Sequence, residues 1–401
     1  MNYTENNSCL VCGNKETIEY LNLSDQPLAN SYHKGEELPT YPLRLRLCKH
    51  CYHSQLSVSV DPDKMFEHYL YISDTSKTLT DYFEWTTEYI LDKIKPKKIL
   101  EIACNSGLLL EMFHKRGYEC YGVDPAKNIR ELSEKRNLNV YVDYFNKDFS
   151  KKFNSEVGKV DLIMAFHVLP HVPDPNEFIS SCVELLSDDG QIFIQTSQCD
   201  MFLNNEFDVV YHEHSSYFTG LSIKMLARNH NLYVSSIVKT DIHSKSFLFS
   251  LQKQPCDEQQ LKELISFEEQ NGIYTVDKYL KFADNAVSIK EDLLKGLNKF
   301  KSEGYTIIGY GAAAKGMTLL NYIDYKLDYI IDDNYMKWDY LTPGQNIEIH
   351  SIDLLKNNFE KIVFVPLAWN FYKEIKERIN KVRDTKNDIF VKYFPNYMEE
   401  K

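Results

Sequence analysis

Lys98-Ile99-Leu100-Glu101-Ile102-Ala103-Cys104-Asn105-Ser106-Gly107 is the stretch on which the fold turns. A short apolar run passes into small and polar residues, and helically spaced apolar positions follow over 107–116. The same unit recurs downstream: 119–124, 160–165 and 190–195 read as strands, and 126–137 and 175–186 read as helices. Strands that alternate with helices in this way predict a parallel, doubly wound α/β sheet. Upstream, residues 81–94 carry a helical pattern that Pro96 stops. Downstream, one long helix is expected over 257–302, with Leu280, Phe282, Val287, Ile289, Leu293, Leu294 and Leu297 on its apolar side. A second strand-turn-helix begins at Thr306-Ile307-Ile308-Gly309-Tyr310-Gly311, and strands at 327–332 and 361–365 complete a second α/β domain.

The chain has 401 residues, 43% hydrophobic and 26% charged, which suits two or three globular domains. No apolar run reaches the ~18 residues of a membrane span, and the polar start Met1-Asn2-Tyr3-Thr4-Glu5 lacks the pattern of a secretory signal. A cytoplasmic protein without a membrane partner is therefore expected. The net charge of -12 argues against nucleic acid as a partner. Most of the nine cysteines should be reduced thiols, and of the scattered Cys104, Cys120, Cys182, Cys199 and Cys256 most sit in apolar surroundings that suit small core residues.

Cys9-Leu-Val-Cys12 and Cys48-Lys-His-Cys51 form two knuckles, and four thiolates complete the tetrahedral site that zinc prefers. Such a site is coordinatively closed, so a structural Zn2+ is expected. His33, His50 and His53 are read as bystanders. In the 100–107 loop, backbone can approach a ligand while the following helix offers free N–H groups to a carboxylate. Asp124 ends the next strand, where a carboxylate meets ribose hydroxyls. The loop lacks the Gly-x-Gly-x-x-Gly of a nicotinamide site, which favours S-adenosylmethionine (SAM), with Glu101, Ala103, Cys104, Asn105, Gly107 and Asp124 as cofactor residues.

Tyr211-His212-Glu213-His214 concentrates a phenol, a carboxylate and two imidazoles. The residues alone fit proton transfer or a satisfied core equally. Gly309-Tyr310-Gly311-Ala312-Ala313-Ala314-Lys315-Gly316 reads either as a phosphate-binding turn or as close helix-on-sheet packing. Trp369-Asn370 reads either as a ligand contact or as a buried aromatic at a strand end.

From end to end the chain resembles the sugar C-methyltransferases that act on nucleotide-linked 4-keto deoxysugars. The resemblance is carried by Cys9-x2-Cys12-Gly13, Gln26-Pro27-Leu28-Ala29-Asn30, Tyr41-Pro42-Leu43, Cys48-x2-Cys51 and Gln55-Leu56. It continues at 101–105, His171-Val172-Pro173-Asp174, Tyr211–His214 with Tyr217-Phe218, 311–316 and Trp369-Asn370. It implies a central Rossmann-like class I SAM methyltransferase domain (71–255), an N-terminal zinc-binding module (1–70) and a C-terminal α/β substrate-binding domain (256–401). It also implies His214 as the base that removes the α-proton, with Tyr211, Glu213, His171 and Tyr71 lining the same pocket. Lys315, Trp369, Asn370 and His243 are the expected substrate contacts. The implied reaction is methylation of carbon, C3 of the sugar, beside the C4 ketone of a nucleotide sugar, by a monomer or homodimer in deoxysugar biosynthesis. The alternatives are oxygen or nitrogen methylation of a related sugar or small metabolite, or a non-catalytic binding protein of the same architecture.

The chain departs from the family pattern at five places. Ala103 stands where glycine is usual and is expected to need a negative φ. Ser106 replaces an acidic residue, and His167 replaces asparagine. Ser244-Lys245 replace two glycines, which adds charge and bulk near the substrate, and Lys337-Trp338-Asp339-Tyr340 replace a more compact turn.

Overall fold

The structure, a computed structural model, describes residues 3–66, 77–197, 200–242 and 245–401. The expected 70/71 boundary, Cys199, Tyr71, His243 and Ser244 lie outside the described residues.

The first strands are β1 (Tyr3–Glu5), β2 (Thr17–Gln26), β3 (Tyr41–Cys48), β4 (Ser54–Leu56) and β5 (Val58–Val60). In β3 the buried residues Tyr41, Leu43, Leu45 and Leu47 alternate with half-buried Pro42, Arg44 and Arg46, so one face of the strand is packed. β1 and β5 form an antiparallel ribbon.

Next come β6 (Lys98–Ile102), β7 (Glu119–Val123), β8 (Asn139–Tyr141), β9 (Val160–Phe166) and β10 (Leu186–Thr196), followed by β11 (Ser216–Tyr217), β12 (Tyr233–Thr240) and β13 (Ser246–Gln252). Seven of these form one sheet in the order β12-β13-β10-β9-β6-β7-β8. β13 is antiparallel to both of its neighbours, and the other pairings are parallel. β9 is an almost continuous buried run, as a strand covered by helices on both faces should be. Chain order reverses between β6 and β9, which opens the crevice where such sheets bind ligands. β11 leaves this sheet and pairs with β4, giving a second sheet in the order β11-β4-β3-β2. The cysteine-bearing module is therefore sewn to the central unit by backbone hydrogen bonds.

The last strands are β14 (Thr306–Tyr310), β15 (Tyr329–Ile331), β16 (Ile349–His350), β17 (Ile362–Pro366), β18 (Ile389–Lys392) and β19 (Met398–Glu400). Their order is β16-β15-β14-β17-β18-β19, with a second reversal between β14 and β17. Every pairing is parallel except that of β19 with β18.

One expectation is corrected here. The 257–302 segment is two helices, Gln259–Gln270 and Val276–Ser302, parted by a turn in which Gly272 takes φ 75°. The second helix buries Tyr279, Phe282, Ile289, Leu293 and Leu297 against β2 residues such as Tyr20 and Leu23. Leu280 and Val287, expected on that side, are exposed.

Candidate active site

The two sheets direct the C-terminal ends of their strands at one another, and between them lies a cavity of about 1380 Å3. The central sheet contributes Glu101, Asp124, Phe166 and the loops beyond them, and the C-terminal sheet contributes 313–315, 368–371 and Phe394.

On the central side, Ala103, Asn105 and Gly107 all take left-handed backbone, with φ 53°, 50° and 79°. The expectation of a negative φ at Ala103 is therefore corrected. The loop must curl there, and alanine bears the strain that glycine would avoid. The curl sends the Asn105 N–H to Asp124 Oδ2 at 2.9 Å, while Ala126 N–H meets Oδ1 at 2.9 Å. Burial raises the Asp124 carboxyl above its usual range, and these two donors pull it back. Glu101 is buried, and its Oε2 has no hydrogen-bond partner among the described residues. Burial raises its carboxyl well above the ordinary range. A cavity-lining carboxyl with one oxygen left without a partner fits a ligand that brings hydroxyl or ammonium groups, as SAM does.

Glu101, Ala103, Cys104, Asn105 and Asp124 line the cavity as expected. Gly107 does not: it begins the helix Leu108–His114, and a Cβ there would lie 2.4 Å from Leu138 Cδ1. Asp143, Tyr144 and Phe145, just beyond β8, also line this end and supply a carboxylate and two rings suited to a purine. Sequence reading had passed them over because β8 is only three residues long.

Deeper in the cavity are His214, Tyr211 and His171. His214 Nδ1 is 2.8 Å from the Val209 carbonyl, so it carries the proton. Nε2 is left as the acceptor and lies 3.0 Å from the Tyr211 hydroxyl. His171 Nδ1 donates to the Glu213 carbonyl at 2.7 Å, and its ring stands 4.9 Å from that of His214. Burial pushes His171 down to about 4 and His214 well below its usual value, so both imidazoles are neutral at physiological pH. The pair can accept a proton at Nε2 and offer a phenolic donor beside it.

Glu213 is placed differently from the expectation. It is absent from the cavity lining, and its carboxylate turns toward the N-terminal module, where Asn30 Nδ2 donates to Oε1 at 2.6 Å. Burial raises Glu213 to about 7. His212 likewise points away, toward the Tyr41 carbonyl at 3.2 Å.

Across the cavity, Lys315 Nζ lies 4.5 Å over the Trp369 ring and 3.5 Å from Asn370 Oδ1. The Trp369 indole donates to Asp208 Oδ2 at 2.7 Å and stacks on Phe394 with ring centroids 4.3 Å apart. Lys245 also reaches the lining.

Cys9, Cys12, Cys48 and Cys51 bring their sulfurs within 4.8 Å of one another, with Cys9–Cys51 at 3.5 Å and Cys12–Cys48 at 3.6 Å. Zn–S bonds of about 2.3 Å in a tetrahedron set sulfurs about 3.8 Å apart, so the four thiolates fit Zn2+. His33, His50 and His53 are outside this cluster.

Three family descriptions match in succession: a zinc binding domain over 9–66, a methyltransferase domain over 66–237, and a C-methyltransferase C-terminal domain over 243–395. The chain is 25% identical over 381 residues to C-methyltransferase NovU of Streptomyces niveus, covering 92% of this chain and 90% of that protein. It is 37% identical over 117 residues to the ubiquinone biosynthesis O-methyltransferase of Glaesserella parasuis, covering 27% of this chain and half of that one. Among solved structures, a magnesium protoporphyrin IX methyltransferase from Synechocystis with bound SAM overlays with a TM-score of 0.34 at 11% identity, covering 44% of this chain and 79% of that one. Among the described residues no helix is long and apolar enough to cross a membrane.

Proposed function

We propose that this chain, a SAM-dependent methyltransferase of the C-methyltransferase family, methylates C3 of a nucleotide-linked 4-keto deoxysugar. The observation that carries the reading is the neutral His214–Tyr211 pair, set in one cavity between the cofactor loop and Lys315. A hydrogen on carbon beside a ketone is acidic enough for an imidazole to remove if a donor stabilises the enolate oxygen. In this reading His214 Nε2 takes the α-proton, and the Tyr211 hydroxyl turns from Nε2 to the ketone oxygen. His171, held by the Glu213 carbonyl, walls the same space. SAM, when bound against Glu101, Asn105 and Asp124, would supply an electrophilic methyl group to the enolate carbon, its S–CH3 bond breaking to leave S-adenosylhomocysteine. The proton on His214 then leaves to solvent.

Lys315 is the proposed phosphate contact, and Trp369 and Asn370 hold it toward the cavity. Zinc, bound by the four cysteines, cross-links the module that carries Asn30. The domain limits 1–70, 71–255 and 256–401 remain the proposed division, and Tyr71 and His243 the proposed further contacts. The relative named an O-methyltransferase matches only 27% of this chain, whereas the match to the C-methyltransferase covers 92% of it. Mass spectrometry after incubation with SAM and a panel of 4-keto sugar nucleotides tests the reading: a gain of one methyl group on a panel member supports it, and a panel left unmethylated contradicts it.

A further inference from the structure

At the strand-order reversal of the C-terminal sheet, the loop after β14 has its polar groups taken by this chain's own side chains. β14 runs into Gly311-Ala312-Ala313, the helix Ala314–Ile323 follows, and Asp332 comes directly after β15. In a dinucleotide-binding sheet, a carboxylate at this place meets a ribose. Here Asp332 Oδ2 accepts the Ala312 N–H at 2.6 Å and stands 3.9 Å from Lys337 Nζ. Both lone pairs of the Ala312 carbonyl are taken, by Tyr32 Oη at 2.5 Å and by Lys337 Nζ at 2.7 Å. The Trp338 indole donates to the Asp332 carbonyl at 2.8 Å.

Tyr32 belongs to the N-terminal module, and its neighbours extend the seam. His33 and Leu341 exchange backbone hydrogen bonds at 3.2 and 2.7 Å, and Lys34 lies 4.6 Å over the Tyr340 ring. Two residues before Tyr32, Asn30 holds the Glu213 carboxylate, and the Glu213 carbonyl in turn holds His171. Three residues beyond Ala312 is Lys315.

We propose that Tyr32 and Lys337 are positioning residues that lock the N-terminal module onto the C-terminal sheet at Ala312. Asn30 then holds the Tyr211–His214 turn in register with Lys315. The effect on turnover rests on the proton-transfer reading of His214 and Tyr211, whereas the lock itself does not. A half-buried tyrosine hydroxyl and a lysine on one carbonyl fix both partners, because loosening either leaves a polar group unpaired.

Hydrogen exchange read by mass spectrometry on the zinc-bound full chain follows the lock without any substrate. Tyr32→Phe and Lys337→Met should each speed exchange across 211–217 about 5-fold, the effect of losing roughly one hydrogen bond. Exchange across 100–107 should not change, and Lys337→Arg should behave as wild type. Adding Tyr32→Phe to Asn30→Ala should speed 211–217 no further than Asn30→Ala alone. In turnover, Tyr32→Phe and Lys337→Met should lower kcat while the KM for SAM stays unchanged. Unchanged exchange at 211–217, or acceleration spread evenly along the chain, overturns the lock. A wild-type chain that methylates no 4-keto sugar nucleotide overturns the functional reading and leaves the exchange result to judge the lock.

Discussion

His214 Nε2 faces the Tyr211 hydroxyl at 3.0 Å because the Val209 carbonyl, 2.8 Å from Nδ1, fixes the opposite nitrogen as the donor. The lone pair needed for proton abstraction is thereby aimed at the cavity. His214→Ala should lower kcat by about 10²–10⁴, the usual worth of a general base, while SAM affinity measured by calorimetry stays unchanged. Tyr211→Phe keeps the imidazole but removes the donor, and it should also lower kcat without altering SAM affinity.

Ala103 holds φ 53° in the loop that cradles the cofactor. An L-residue in that conformation costs about 1–2 kcal/mol. Glycine relieves the strain but is freer in the unfolded chain, so Ala103→Gly should stabilise the fold by about 1 kcal/mol or slightly less. Urea unfolding midpoints of the two proteins check this.

Glu213 sets a pH dependence of stability. Its folded value is raised, so its stabilising effect is full below the unfolded value of 4.5 and is lost as pH rises through about 7. At alkaline pH the loss approaches about 3 kcal/mol for so buried a group. Glu213→Gln carries no such charge, so its stability relative to wild type should rise from about pH 4.5 to about pH 7 and level off above, as read by denaturant midpoints. His171 has the opposite sign: pushed to about 4, it contributes above its unfolded value of 6.5 and loses that contribution as pH falls.

Lys245 adds a cation to the cavity wall. Its Nζ is 3.8 Å from Asp200, a carboxylate that Lys239 holds more closely, so the Lys245 ammonium is only loosely tied at the cavity wall. Lys245→Gln should raise the KM for an anionic sugar nucleotide about 10-fold, with a smaller effect at high salt. The KM for SAM should not change. Steady-state kinetics at two ionic strengths give both numbers.

The strands were legible because buried parallel strands are short apolar runs: Lys98–Ile102 falls where its sequence put it, and β7 and β9 within one residue of theirs. The cysteine cluster was equally plain, since its spacing is its chemistry. The break at Gly272 was hidden, because a lone glycine in a helical pattern costs only about 1 kcal/mol and is often tolerated. Neither the direction of Glu213 nor the role of Asn30 could be read from spacing. Their contact joins residues 183 positions apart, across two units that β11 and β4 also pair. The strain at Ala103 was invisible for a related reason: the curl is imposed by the bonds from Asn105 and Ala126 to Asp124, not by the alanine itself.

The central claim is that the methyl group goes to carbon. Turnover of a 4-keto sugar nucleotide with SAM carrying a 13C-labelled methyl group, followed by NMR of the product, locates that group directly. The account predicts a labelled methyl bonded to C3 beside the ketone. A label found on oxygen or nitrogen, with the hydrogen at C3 retained, would contradict it.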